Sequence, residues 1–355
     1  MAENKITINE LIEELKKYIN GPHNYNISTT LNNILEQNND IEPKEYFIKF
    51  FSLLENIIPE DARENFYRNL KTLKIKLDLD YDFSSIEATR NFTAYDALRN
   101  KMIILPSGIK MLFQIAQNQD NPIEFFIETF EDAFFHELLH MASSIFDIRE
   151  EILFIGFSPN VLKTEKNNEL KFGLTEGMTE VLVLESSHKK PKLYIGYYIE
   201  ILLVIQLMQI VERNIMLESY FKNKGTIEIE NELDKFSCGN FKANILLNDI
   251  EENFWKYKDE NKEKQTLLAS IQSILIGCYK DKMLYLIENK LITKEEVEKS
   301  LAIYEEALIR PEAMKKRNGN IEIYIGLDES IEKFYLVKQE IISMLNSNYT
   351  KKRAL

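Results

Sequence analysis

Five consecutive residues, His136-Glu137-Leu138-Leu139-His140, have the types and the spacing of a metal site. Histidines four positions apart lie on the same face of a helix, about one turn from each other. Both imidazoles can therefore reach one metal ion, with the carboxylate of Glu137 beside it. The chain has 4 histidines, and the motif uses two of them. The alternative is a helix that carries two semi-buried histidines and no metal.

A third metal ligand has to come from another part of the chain, because a catalytic zinc site takes three protein ligands and leaves one position for water. The extended three-histidine motif has Gly and His after the second histidine, where this chain has Ser143 and Phe146. A third histidine could come only from His23 or His188, and neither has a supporting context. A carboxylate is the better candidate.

Two glutamates downstream satisfy this requirement. Glu176 and Glu180 lie in the stretch Gly173–Glu180, which is predicted to begin a helix after a strand. They are four residues apart and so share a helical face. One of them can bind the metal while the other accepts a hydrogen bond from a ligand imidazole, which orients the ring.

The predicted elements around the motif are helices and short strands. Asn121 is a good N-cap and Pro122 suits the first helical position, so the helix with the two histidines should begin there and run to about Ile145. Alternating or short apolar runs predict five strands: Ile75–Phe83, Phe92–Ala97, Lys101–Leu105, Ile152–Phe157 and Leu170–Leu174. Helical spacing of apolar residues predicts helices elsewhere: Lys5–Ile19, Pro43–Ile58, Asp61–Lys71, Thr175–Glu185, Tyr194–Tyr220 and Ser330–Leu345.

The two motifs together resemble those of the gluzincin group of zinc metallopeptidases. That group carries H-E-x-x-H on one helix and a glutamate ligand on a following helix, and Leu174-Thr175-Glu176-Gly177 resembles its second motif. The group more often has Asn where Thr175 stands. The resemblance covers roughly residues 73–200 and names no subfamily. It implies a zincin-like domain in which His136, His140 and Glu176 bind Zn²⁺.

The resemblance also implies a mechanism. Glu137 would act as the general base for a zinc-activated water. Glu180 would accept a hydrogen bond from a ligand imidazole. A downstream Tyr often stabilises the oxyanion in this group, and Tyr197 is preferred for this role over Tyr194 and Tyr198. The edge strand of a zincin sheet can bind an extended substrate, and Lys101–Leu105 is the candidate for that strand.

Composition limits the alternatives. A net charge of -13 without a basic stripe argues against nucleic-acid binding. The two cysteines, Cys238 and Cys278, lack metal-type spacing and are expected to be free thiols. The most apolar run, Tyr197–Leu217, is interrupted by charged and amide side chains, so no membrane span is expected. With no signal peptide, the expected location is the cytoplasm, and signal-independent export stays open.

We therefore predict an α+β protein with three regions: a helical part over 1–60, a zincin-like catalytic core over 61–225 and a mainly helical part over 226–355. The expected function is zinc-dependent hydrolysis of peptide bonds in a peptide or protein substrate. One alternative is a zincin-fold regulatory or binding protein with little general proteolytic activity. Another is a helical interaction protein without metal. The sequence determines neither the cleavage specificity nor the oligomeric state.

Overall fold

The computed structural model describes residues 50, 53–77, 93–105, 108, 111–112, 115–147, 152–161, 173–187, 197–222, 224–236, 241–252, 262–317 and 327–351. Several predictions fall outside these residues: the helix Lys5–Ile19, most of the helix Pro43–Ile58, and the residues His23, His188, Tyr194 and Cys238. The described part is α+β, as expected, and forms two compact units. The three-region division stays a prediction.

The first unit, residues 1–164 and 221–223, contains two small sheets and the central helix. A 3-10 turn at Glu60–Ala62 leads into α1 (Arg63–Thr72). The next elements along the chain are β1 (Lys74–Leu77), β2 (Thr93–Asp96), β3 (Lys101–Ile104), α2 (Pro122–Ser143), β4 (Ile145–Asp147), β5 (Ile152–Ile155) and β6 (Ser158–Val161). The first sheet has the order β1-β3-β2, and the second is an antiparallel β4-β5-β6 meander.

The strand proposed as the sheet edge is in fact central. β3 pairs in parallel with β1 and antiparallel with β2. Its residues Met102, Ile103 and Ile104 are completely buried, as is typical of a strand that is covered by structure around it. The prediction that Lys101–Leu105 is the edge strand is therefore wrong. Within the described residues, β1 and β2 are the two outer strands, and β2 packs against α2.

The second unit, residues 165–220 and 224–355, contains helices joined by turns, and no strand, in the residues that the structure describes. Its helices are α3 (Gly173–Ser187), α4 (Tyr198–Met208), α5 (Arg213–Phe221), α6 (Ile227–Lys235), α7 (Ala243–Glu252), α8 (Lys262–Glu288), α9 (Lys294–Arg317) and α10 (Leu327–Lys351). α3 packs against α4 and α7, and α8 packs lengthwise against α10. Tyr279, Tyr304 and Phe334 stack in the core between α8, α9 and α10.

The sequence predicted one long helix over Tyr194–Tyr220, whereas the structure has α4 and α5 with a turn between them. No Gly or Pro marks this turn in the sequence. Hydrogen bonds from distant helices hold it instead. Lys282 donates to the Gln209 carbonyl at 3.2 Å, and the Ser300 hydroxyl donates to Gln209 Oε1 at 2.9 Å. A helix break made by such tertiary bonds cannot be inferred from local propensity.

Other local predictions are confirmed. The central helix begins at Pro122, one residue after Asn121, and α3 covers the helix that was expected over Thr175–Glu185. Leu174, however, belongs to α3, so the end of the strand predicted over Leu170–Leu174 is wrong. Cys278 is a buried free thiol. In the described part of the chain, no helix has the length and apolar character needed to cross a bilayer.

Candidate metal centre

α2 brings the two histidines of the motif together. One helical turn separates them, and their Nε2 atoms lie 2.9 Å apart with the ring centroids at 4.6 Å. The rings meet nearly edge to face, at 75°. Two imidazole nitrogens so close together can share a proton or point their lone pairs at one cation. The predicted spacing argument for His136 and His140 therefore holds in three dimensions.

The C-terminal end of α2 is fixed by asparagines from α1. Asn65 Nδ2 donates to the Ser144 carbonyl at 2.9 Å, and Asn69 Nδ2 donates to the carbonyls of Met141 and Ser144 at 2.9 and 2.8 Å. The last carbonyls of a helix lack the usual partners within the helix, so these amides satisfy acceptors there. The Met141 carbonyl also accepts the Ser144 N–H at 3.3 Å. The asparagine amides hold the turn that directly follows His140.

This anchor was not predicted from the sequence. Asn65 and Asn69 are four residues apart in a predicted helix, which is a visible signal, but the sequence does not show what the shared face contacts. Ser143 and Ser144 complete the anchor, since both hydroxyls donate to the His140 carbonyl, at 3.1 and 2.7 Å.

Glu137 is contacted by Thr93 of β2, an outer strand of the first sheet. The Thr93 hydroxyl lies 3.4 Å from Glu137 Oε1 and 3.4 Å from the Ala133 carbonyl, and Thr93 is buried. A hydroxyl in this position can donate one proton to either oxygen. Thr93 therefore restrains the carboxylate that the motif assigns as a base, and no sequence pattern pointed to it.

α3 carries Glu176 in its first turn and packs tightly against α4. A Cβ placed on Gly177 would lie 2.7 Å from the Glu200 carbonyl oxygen, so only glycine fits there. On the same helix, Thr179 Oγ1 and the Tyr220 hydroxyl lie 2.6 Å apart, and both residues are completely buried. The glycine of the second motif thus has a packing role, because it lets the two helices approach closely.

The start of α3 is bonded to Glu251 of α7. Its carboxylate accepts hydrogen bonds from the backbone N–H groups of Leu174 and Thr175, at 2.6 and 3.0 Å, and from the Thr175 hydroxyl at 3.0 Å. Burial raises the pKa of Glu251 to about 7, while these hydrogen bonds act in the opposite direction. No pattern in the sequence indicated this partner.

One group of side chains in the described part of the chain has the composition of a metal site: His136, His140 and Glu176. Each offers one ligand atom, and these atoms all lie within 4.8 Å of one another. Zinc binds such atoms at about 2.0–2.2 Å, so ligand atoms in a tetrahedral site lie roughly 3.3–3.5 Å apart. Two imidazoles and a carboxylate are also a donor set that zinc accepts.

Two further predicted site residues have positions but no tested role. Glu180 lies one turn after Glu176 on α3 and is half-buried. Tyr197 is half-buried at the N-cap position of α4, where its carbonyl accepts the Ile201 N–H at 2.9 Å. The ligand-orienting role of Glu180 and the oxyanion role of Tyr197 stay predictions.

Comparisons of this chain with models of protein families, with curated proteins and with solved structures gave no match.

Proposed function

We propose that the protein is a zinc-dependent metallopeptidase with a zincin-like catalytic core, in which His136, His140 and Glu176 hold the metal. The observation that carries this proposal is the convergence of the three ligand atoms within 4.8 Å. The proposal is also supported by hydrogen bonds from residues that are distant in sequence from both motifs. Asn69 of α1 bonds to the end of α2, and Glu251 of α7 bonds to the start of α3, so the turns that carry the proposed ligands are held in place.

The solvent exposure of the polar side chains in the motif is consistent with a reactive site. His136, Glu137 and His140 keep between 7% and 8% of their surface exposed, while Leu138 and Leu139 are completely buried. The polar residues of the motif therefore retain a small access to solvent in the buried second half of α2. A catalytic metal needs such access, because a substrate or water has to reach the open position.

The proposed reaction divides the work among these residues. Zinc supplies a Lewis acid that polarises the scissile carbonyl and lowers the pKa of water to about 7. Glu137 takes a proton from the attacking water and passes it to the leaving amine. The Thr93 hydroxyl, 3.4 Å from Glu137 Oε1, can donate a hydrogen bond to that oxygen. An extended peptide reaches the site along β2, whose outer side is unpaired within the described residues.

The metal is tested first by measuring the zinc content of gently purified protein. We expect about one equivalent per chain, and less than about a tenth of an equivalent would contradict the proposal. Glu176→Gln is expected to weaken zinc binding strongly. Glu185→Gln, an exposed position on the same helix, is the matched control and should bind zinc like the unaltered protein.

The reaction is tested with a library of quenched fluorescent peptides. The unaltered protein should cleave members of the library, and Glu137→Gln should keep its zinc while kcat falls by about 10²–10⁴. A protein that holds zinc but cleaves no peptide would contradict the peptidase and favour a zincin-fold binding protein. A Glu137→Gln variant with full activity would remove Glu137 from the mechanism.

A further inference from the structure

The structure describes the helix that carries Glu176 from Gly173 onward. The first N–H groups of a helix lack partners within it, and a Ser, Thr, Asp or Asn side chain just before the helix usually accepts them. Here the residue before Gly173 is Phe172, whose side chain has no acceptor. A carboxylate from elsewhere in the chain has taken over this function.

That carboxylate belongs to Glu251, and both of its oxygens are used. Oε2 accepts the N–H groups of Leu174 and Thr175, at 2.6 and 3.0 Å, while Oε1 accepts the Thr175 hydroxyl at 3.0 Å. Three bonds from two consecutive residues fix the orientation of the first turn more firmly than one cap would. Thr175 is completely buried, so the bond that its hydroxyl donates to Glu251 is shielded from water.

Glu176 is the next residue along this turn. A side chain projects from a helix in a direction set by its backbone, so a fixed first turn also fixes where the Glu176 carboxylate can reach. The two carboxyl groups are close enough that the charge of Glu176 contributes, after burial, to raising the pKa of Glu251.

We propose that Glu251 is a positioning residue that holds Glu176 in the orientation required for metal binding. This inference rests on the proposed function, because it assigns Glu251 a role toward the same metal. It also accounts for Thr175, where the resembling group more often has Asn: the Thr175 hydroxyl is a partner of Glu251.

The first test is Glu251→Gln, which keeps the size of the side chain but replaces one acceptor oxygen by an NH2 donor. We expect zinc affinity to fall by about 10–100-fold, as is usual when a residue behind a metal ligand is changed. The adjacent Glu252→Gln is the matched control, since Glu252 is exposed on the same helix, and it should leave zinc affinity unchanged.

A readout that a purely structural role would not alter is the visible spectrum of the cobalt-substituted protein. The band position and intensity per bound Co²⁺ report the ligand set, so Glu251→Gln should change them in the direction of Glu176→Gln. Unchanged zinc affinity and an unchanged cobalt spectrum in a folded Glu251→Gln variant would overturn the inference.

A milder variant keeps the inference testable if Glu251→Gln does not fold. Thr175→Val removes only the hydroxyl bond and should weaken zinc binding by about fivefold. Where both variants fold, their combination should weaken binding no more than Glu251→Gln alone, because both act through one contact. A Thr175→Val protein with full zinc affinity would count against the inference.

The two proposals can fail separately. If the unaltered protein binds no zinc, or if Glu176→Gln leaves affinity unchanged, the metal site itself is wrong and the role of Glu251 falls with it. If Glu176→Gln weakens binding while Glu251→Gln and Thr175→Val do not, only the positioning role is overturned.

Discussion

At the scale of single residues, the motif is supported by side chains that sequence patterns do not reveal. Thr93 lies 44 positions before Glu137, and its hydroxyl is 3.4 Å from the Glu137 carboxylate. A base that has to move a proton works best when its orientation is restrained, because proton transfer depends on close geometry. Thr93 is therefore a candidate for tuning the reaction without binding the metal.

Replacing Thr93 by Val tests this role. The change removes the hydroxyl while keeping the β-branched shape, so we expect kcat for peptide cleavage to fall by about tenfold with zinc content unchanged. The measurement is steady-state kinetics with a cleaved library peptide. Thr266→Val, at an exposed position of α8, is the control and should leave kcat unchanged. Loss of zinc in Thr93→Val would show that Thr93 acts on the metal site instead.

At the scale of elements, α2 and α3, which carry the proposed metal ligands, are positioned by different means. α2 is held at its C-terminal end, where the amides of α1 donate to its last carbonyls. α3 is held at its N-terminal end by Glu251 and along its side by close packing on α4. Helix ends are where backbone groups lack partners, and so it is there that other elements can anchor a helix.

The anchor of α2 can be removed with Asn69→Ala. The carbonyls of Met141 and Ser144 would lose a donor, and we expect the free energy of unfolding to fall by about 2 kcal/mol. Zinc affinity should fall as well, because the turn after His140 is released. Asn248→Ala, at an exposed position on α7, should change stability by less than about 0.5 kcal/mol. Equal losses in both variants would argue against the anchor.

Two glycines in helices give a matched pair for the packing of α3 on α4. Ala is a better helix former than Gly by about 1 kcal/mol. At Gly277 a Cβ would meet nothing within 4 Å, so Gly277→Ala should stabilise the protein by up to that amount. At Gly177 a Cβ would lie 2.7 Å from the Glu200 carbonyl, and Gly177→Ala should destabilise it by about 1–3 kcal/mol. Denaturant titration measures both, and stabilisation by Gly177→Ala would contradict the close approach.

α9 begins with a capping box, and the spacing of Thr293 and Glu296 in the sequence is the signature of one. Glu296 Oε2 accepts the Thr293 N–H at 2.8 Å and its hydroxyl at 2.7 Å, and these bonds lower the pKa of Glu296. A lowered pKa in an acid contributes stability that is present above its unfolded value and is lost as pH falls through the folded value. Acidification should therefore weaken this first turn.

Thr293→Ala should raise the pKa of Glu296 back toward its ordinary value, because the hydroxyl bond is lost. The variant should also be less stable by about 1 kcal/mol at neutral pH. NMR titration of the Glu296 side chain measures the first effect. An unchanged pKa would mean that the backbone N–H bond alone is responsible.

At the scale of the whole molecule, a metal that binds only the folded protein adds to its stability. At a free zinc concentration of about 100 times Kd, the gain is roughly 2.7 kcal/mol. Chelation should therefore lower the midpoint of thermal unfolding, and restored zinc should raise it again. Glu176→Gln should abolish this zinc-dependent shift, whereas Glu185→Gln should retain it. A midpoint independent of zinc in the unaltered protein would contradict a metal bound to the fold.

The sequence by itself determined the features that depend on local spacing and local bonding. It identified His136 and His140 as neighbours on a helix, the start of that helix at Pro122, the capping box at Thr293 and the helix that carries Glu176. Each depends on residues within one or two turns of each other, whose relation the geometry of the helix dictates. The role of these residues in zinc chemistry stays a proposal.

Tertiary structure alone decided which residues contact the proposed site and which strand is central in the first sheet. The asparagines of α1, Thr93 and Glu251 are far in sequence from the groups they contact. The central position of β3 and the break between α4 and α5 are likewise settled by distant partners. A hydrogen bond between remote residues leaves no periodicity in the sequence, because each partner satisfies only its own local pattern.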